Sequence, residues 1–170
     1  MKYLSFLNKY GDKFLALWLY LFIVVVIFSE VFRRYVIEFS SLWGEETARF
    51  SFIYMVWIGA SIAVKERLHI RIGIVVDRLS DQVRNLFNIF YGLLGMFLAV
   101  VALKYSMEPV MTSIKFQSVT DGLRIVQAWF LFAVPFGFSL ILLRLVQVLL
   151  DDINRFRSKQ PPAMAEKLFD

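Results

Sequence analysis

From Phe14 to Phe32 the chain runs for 19 residues with one charged side chain, Glu30. At 1.5 Å per residue a helix of that length covers about 30 Å, the thickness of bilayer hydrocarbon. Similar runs recur at about 46–64, 86–103 and 128–150. No soluble core built by 170 residues would cover four of them. The hydrophobic share of 59% and the aromatic share of 17% agree, since soluble domains hold roughly 45–50% apolar residues. These features predict an all-α integral membrane protein with four transmembrane helices. One membrane domain is expected over 1–156, with a polar cytoplasmic tail over 157–170.

Lys2, Lys9 and Lys13 precede the first run, as in a signal peptide. The run is longer than a signal core of about 7–15 residues and ends without small residues for cleavage, so it reads as a retained helix. Glu30 stands three and four residues before Arg33 and Arg34, at a spacing that lets a helical pair neutralise it near the interface. The second run opens on Gly44, Glu45 and Glu46, with acids in the first turn where the helix dipole favours them. Gly59 and Ala63 are four apart, a small-residue face that admits another backbone. Gly92, Gly95 and Ala99 on the third run read as a possible counterpart to that face.

The stretch from Arg67 to Leu79 is too charged to cross hydrocarbon, yet Leu68, Ile72, Val75, Val76 and Leu79 share one helical face. An interfacial amphipathic segment between the second and third spans is expected, with His69, Arg71 and Arg78 anchoring it among headgroups. The third run ends before Lys104, and a polar connection containing Pro109 follows as far as Gln127. Pro135 and Gly137 inside the fourth run predict a kink. Arg144 lies about two turns from the end of that run, within snorkelling reach of the interface, with a buried interhelical partner as the alternative. Pro161 and Pro162 end any helix in the tail.

Lys and Arg set the orientation. Twelve lie in the N-terminal arm, the second loop and the tail, against six on the other side. The positive-inside rule therefore places both termini and His69 in the cytoplasm, with the Trp43 cluster and the Pro109 loop facing outward. The net charge of +5 sits in loops and ends, a topological signal rather than a nucleic-acid footprint.

The residues that chemistry would need are missing. His69 is the lone histidine and there is no cysteine, so paired axial haem ligands and thiol redox chemistry are excluded. No spacing suggests a nucleophile with its base, a phosphate loop or a metal cluster. Charges within the spans sit towards their ends rather than at mid-membrane, which argues against a self-sufficient ion-coupled carrier. The chain reads as a non-enzyme without cofactors. What remains is the cluster Trp43, Glu45, Glu46 and Arg49. Glu45 and Arg49, at i and i+4, are spaced for a helix-face pair. Glu46 points about 100° away, towards another helix or a partner subunit. Trp43 is placed as an interfacial anchor.

Ser41-Leu-Trp43-Gly-Glu45-Glu46-Thr-Ala-Arg49, then Trp57-Ile-Gly59-Ala60, His69-Ile-Arg-Ile72, Asp77-Arg-Leu79, and Trp129 followed by Pro135-Phe-Gly137 together resemble the small membrane subunit of TRAP transporters, the tripartite ATP-independent periplasmic family. The likeness runs from the first span to about Leu150. It implies a four-helix subunit of a bacterial or archaeal inner membrane, partnered by a large multi-span subunit and a periplasmic substrate-binding protein. In such systems the large subunit carries substrate and sodium elevator-fashion, and the small one is a fixed scaffold; family substrates are mostly organic acids. Beside this resemblance, the spacing and orientation of the residues themselves cast Trp43, Glu45, Glu46, Arg49, Gly59 and Ala63 as packing or docking residues, and His69, Arg71, Arg78 and Arg144 as interface anchors. The competing readings are a self-assembling small multidrug-type carrier of four spans and an accessory subunit of a respiratory enzyme.

Overall fold

The computed structural model describes residues 2–39, 41–67 and 80–161, the first nine of these by backbone only. Four helices fill them: α1 (Lys2–Val36), α2 (Leu42–Lys65), α3 (Asp81–Lys115) and α4 (Ala128–Arg157). Each is long and apolar enough to cross a membrane, so the chain is a multi-pass all-α membrane protein. The expected amphipathic segment, with His69, Arg71 and Arg78, lies outside the described residues.

The helices overrun the apolar stretches that announce them. α3 does not stop before Lys104 but continues eleven residues further, through Pro109, to Lys115. Proline there removes one N–H donor to the carbonyl of Tyr105, and the flanking Glu108, Met107 and Met111 are good helix formers that let the helix run on. What was expected to be a connection from Lys104 to Gln127 is therefore short. It begins at Phe116 and contains one antiparallel bridge, Val119 to Val126.

α2, α3 and α4 end alike, and without glycine. Arg67, Gln117 and Lys159 follow the C-caps Glu66, Phe116 and Ser158 with φ of 57°, 50° and 53°. In α3 the N–H of Ser118 bonds the Ser113 carbonyl at 3.1 Å and that of Gln117 bonds Ile114 at 3.2 Å, the paired pattern that satisfies orphan carbonyls at a helix end. α4 repeats it through Gln160 to Arg155 and Lys159 to Phe156. The left-handed residue costs each non-glycine position about 1–2 kcal/mol, offset by those bonds and by what the reversed chain brings into contact.

Packing follows the order α1, α2, α4, α3. α2 lies between α1 and α4, and α3 packs on the far side of α4, so the helices form a row rather than a closed bundle. The α3 glycines accordingly have a different neighbour from the one expected. A Cβ on Gly92 would stand 3.2 Å from Leu149, and one on Gly95 would stand 3.6 Å from Leu145, both on α4; α2 and its Gly59 lie elsewhere. Interfaces in hydrocarbon gain nothing by hiding apolar area and instead reward close backbone approach. Alanines accordingly recur in the buried apolar set, with Ala133, Ala99, Ala48 and Ala128 beside Ile23, Ile58 and Leu149. The large aromatic and aliphatic side chains point outward, as with Trp18, Phe28 and Phe97 at 70%, 71% and 65% exposure.

Candidate functional site

At the Trp43 end, α1 and α2 are joined by a polar knot. Arg33 donates to Glu30 Oε1 at 3.0 Å and to Ser41 Oγ at 3.2 Å, and Ser41 donates to the same Glu30 oxygen at 2.8 Å. The Arg33 guanidinium also lies 5.1 Å from the Trp43 ring and 5.2 Å from that of Phe39, within cation–π range. Trp43 is thus held by an arginine of α1. Glu30 sits over Gly44 so closely that a Cβ there would overlap its carboxylate.

The Glu45–Arg49 pair expected from spacing is not formed, and both side chains are exposed. Glu46 faces a loop of the same chain. Its Oε2 accepts the N–H of Gly122 at 3.1 Å and of Leu123 at 2.5 Å. Two consecutive backbone donors on one carboxylate oxygen form an anion nest, and they tie the α3–α4 connection to the first turn of α2. Gly122 is required there, because a Cβ would stand 2.8 Å from both the Glu46 carboxylate and the Leu42 carbonyl.

Midway along α2 the aromatics face α4. Phe50 meets Phe130 edge-on with centroids 5.0 Å apart, Trp57 lies 4.9 Å from Phe138, and the Tyr54 hydroxyl donates to the Trp129 carbonyl at 2.7 Å. Trp57 fits because residue 137 is glycine, whose Cβ would fall inside the indole. Beside it, Pro135 is fully buried.

At the Lys65 end the row is clamped by charge. Asp12 of α1 accepts from Arg144 of α4 and, at 3.5 Å, from Lys65 of α2, so one carboxylate ties three helices. Arg144 also donates to Gln147 at 2.7 Å. Of the two roles open to Arg144 from sequence, the structure displays the interhelical partner: its side chain is 14% exposed and reaches α1. Lys13 pairs with Glu66. Arg67, turned back by its left-handed backbone, bonds Asp152 at 2.6 Å and Asp151 at 2.9 Å, with side-chain exposures of 7% and 2% for Arg67 and Asp152. Asn85 of α3 joins this end to the tail through the Gln160 carbonyl at 2.9 Å.

One face of α2 takes no part in any of this. Glu45, Arg49, Phe52, Val56, Gly59 and Ala63 advance by alternate steps of four and three, which at 3.6 residues per turn keeps them on one side of the helix. The first five are exposed and Ala63 is half-buried. A Cβ on Gly59 would find nothing within 4 Å, so the small-residue face read from the sequence is open at Gly59 among the described residues. The stripe is charged at the Trp43 end, apolar in the middle and small at the Lys65 end. Among the described residues no group of His, Asp or Glu side chains could hold a metal ion.

Such a row, clamped at both ends and open along its central helix, fits a part built to be joined to another membrane protein. Residues 23–155 match the model of the tripartite ATP-independent periplasmic transporters, DctQ component. The chain belongs to this family. It is 26% identical over 117 residues to the sialic acid TRAP transporter small permease protein SiaQ of Vibrio cholerae, covering 68% of this chain and 65% of that protein. Over 115 residues it is 27% identical to the isethionate TRAP transporter permease protein DctMQ of Oleidesulfovibrio alaskensis, which is 68% of this chain but 18% of that protein. Over 60 residues it is 33% identical to the C4-dicarboxylate TRAP transporter small permease protein DctQ of Vibrio cholerae, 35% of this chain and 26% of that one. The chain is a small permease component of a TRAP transporter, a transport part rather than an enzyme. The matched region spans less than a fifth of DctMQ and about two thirds of SiaQ.

Proposed function

We propose that this protein is the non-catalytic scaffold subunit of a sodium-coupled secondary transporter for organic acids, held stationary in the inner membrane beside a large elevator-type subunit that carries substrate and ions. The observation that carries the reading is the open stripe of α2, where Gly59 has nothing within 4 Å. A flat row with an exposed small-residue notch offers a second helix a close backbone approach, the interaction that drives helix association in lipid. Arg49, exposed at the other end of the stripe, supplies a cation for an acid of the partner. The DctMQ relative supports a large membrane partner, since the matching region lies within a chain more than five times its length. Relatives named for isethionate, sialic acid and C4-dicarboxylate support an anionic organic substrate, which in this reading a periplasmic binding protein delivers. The Lys and Arg distribution puts both termini in the cytoplasm. The Trp43 end then faces the binding protein, and the knot around Arg33 and the Glu46 loop forms the surface it would meet.

The test is co-purification. The tagged chain is expected to bring down a multi-span partner, and Gly59→Phe is expected to lose that partner while keeping its own helical content and melting temperature. A Gly59→Phe variant that retains partner and uptake overturns the docking face. Uptake by liposomes containing this chain alone would favour the self-assembling carrier instead.

A further inference from the structure

Between α1 and α2, at the Trp43 end, lies a cleft of about 210 Å³ lined by Ile27, Val31, Glu30, Arg34, Tyr35 and Glu45. The cleft opens to the surface, so it admits a group that enters from outside rather than enclosing trapped solvent. Its chemistry is graded along α1. Ile27 lies two turns below Arg34, about 10 Å deeper along α1, and with Val31 forms a wall leading into the apolar part of the span. At the rim stand one cation, Arg34, and two carboxylates, Glu30 and Glu45.

These charges are not spent on one another. Arg34 and Glu45 are both exposed and form no ion pair among the described residues. Glu30 uses Oε1 for Arg33 and Ser41, leaving Oε2 to accept from a further donor. A ligand complementary to the rim therefore carries an anion for the guanidinium and, within a few ångströms, a cation with N–H donors for the carboxylates. Below these it carries an apolar chain for Ile27 and Val31. We infer that this cleft is a binding site for a zwitterionic phospholipid with a primary ammonium headgroup, of the phosphatidylethanolamine type. Arg34 takes the phosphate, Glu45 and Glu30 take the ammonium, and one acyl chain runs down the α1–α2 seam. Phosphatidylcholine offers the same charges, but its quaternary nitrogen has no N–H to donate. Phosphatidylglycerol supplies the phosphate and leaves both carboxylates facing a net anion. The site is separate from the open stripe of α2 except at Glu45, and the inference stands whether or not that stripe docks a partner.

The test titrates the delipidated full chain in neutral detergent with phosphatidylethanolamine, phosphatidylcholine, phosphatidylglycerol or soluble phosphoethanolamine, and reads adducts by native mass spectrometry. One charge-assisted hydrogen bond lost corresponds to about tenfold in affinity, so phosphatidylethanolamine is expected to bind at about one tenth the concentration of the other two lipids. Soluble phosphoethanolamine, lacking a chain, is expected not to bind in that range. Glu45→Gln should narrow the preference with unchanged helical circular dichroism; Arg34→Gln, which removes the contact to the phosphate that all three lipids share, should weaken all of them by about tenfold, and Arg34→Lys should keep both affinity and preference. A photo-crosslinker at Tyr35 in the membrane should capture lipid. Equal binding of the three lipids, a preference for phosphatidylglycerol, binding of the soluble headgroup, an unchanged preference in Glu45→Gln, unchanged affinities in Arg34→Gln, or capture of polypeptide at Tyr35 would each overturn the assignment.

Discussion

The indole of Trp57 occupies the space into which a side chain on Gly137 would grow, with a Cβ there falling well inside the 3.0 Å that real contacts respect. The two residues come from different helices and set the distance between α2 and α4. Overpacking a formed interface costs about 1–3 kcal/mol, so Gly137→Ala should lower the melting temperature of the purified chain. Coupling is the sharper measurement. Trp57→Ala removes the obstructing ring, so adding Gly137→Ala to it should cost less than Gly137→Ala costs in the natural background. Additive costs would show that another neighbour requires the glycine.

Glu46 should control the loop rather than the helices. Replacing it with Ala strands the N–H groups of Gly122 and Leu123, and losing such charge-assisted bonds costs about 1.5–3 kcal/mol of local stability. Amide exchange at residues 122 and 123 is expected to accelerate by tenfold or more, with exchange in the middle of α2 unchanged. Uniform acceleration across α2 would mean that the loop and helix open as one unit.

Arg67 and Asp152 are a buried pair, and such pairs are costly to break and cheap to replace. Arg67→Met should destabilise the fold by about 3–5 kcal/mol, because it leaves the Asp152 carboxylate, 2% exposed, without that cation. The double variant Arg67→Met, Asp152→Leu should recover much of the loss in a thermal or denaturant titration. If the double variant is worse than either single one, other groups at the Lys65 end depend on Asp152.

Asp12 is a carboxylate shared by Lys65 and Arg144. Asp12→Asn should therefore loosen α1 from the rest of the row, with a cost of about 1–3 kcal/mol, while Asp12→Glu keeps much of the stability. Protease sensitivity near Gly11 reports this directly, and an unchanged cleavage rate in Asp12→Asn would relocate the clamp to the Lys13–Glu66 pair.

What could be read from the chain was whatever hydrocarbon imposes locally. Four spans were legible because an apolar stretch that long has few alternatives, and the Glu30–Arg33 contact was legible because residues three apart on a helix are neighbours. The length of α3 was hidden by Lys104 and Pro109, which mimic a boundary when the helix in fact projects past the apolar stretch. Glu46 was assigned to a helix or a partner, since nothing local shows that backbone amides 76 and 77 residues later will converge on it. Asp12 carries no local signal, because its partners lie 53 and 132 positions away. The order of helices in the row is hidden for the same reason: small residues on α2 and α3 look alike in sequence, yet Gly92 meets α4 while Gly59 meets nothing among the described residues.

That row has a history written into it. α1 and α2 are neighbours in sequence and in space, so they can pair as soon as the second leaves the ribosome. α3 emerges next with no earlier helix to lean on, since its packing partner is α4, the last to be made. During synthesis it must wait alone in the lipid, exposing Gly92 and Gly95 to whatever small-faced helix passes. A ribosome stalled before Ala128 would leave a stable hairpin and an orphan span, a half-made product for membrane quality control to find.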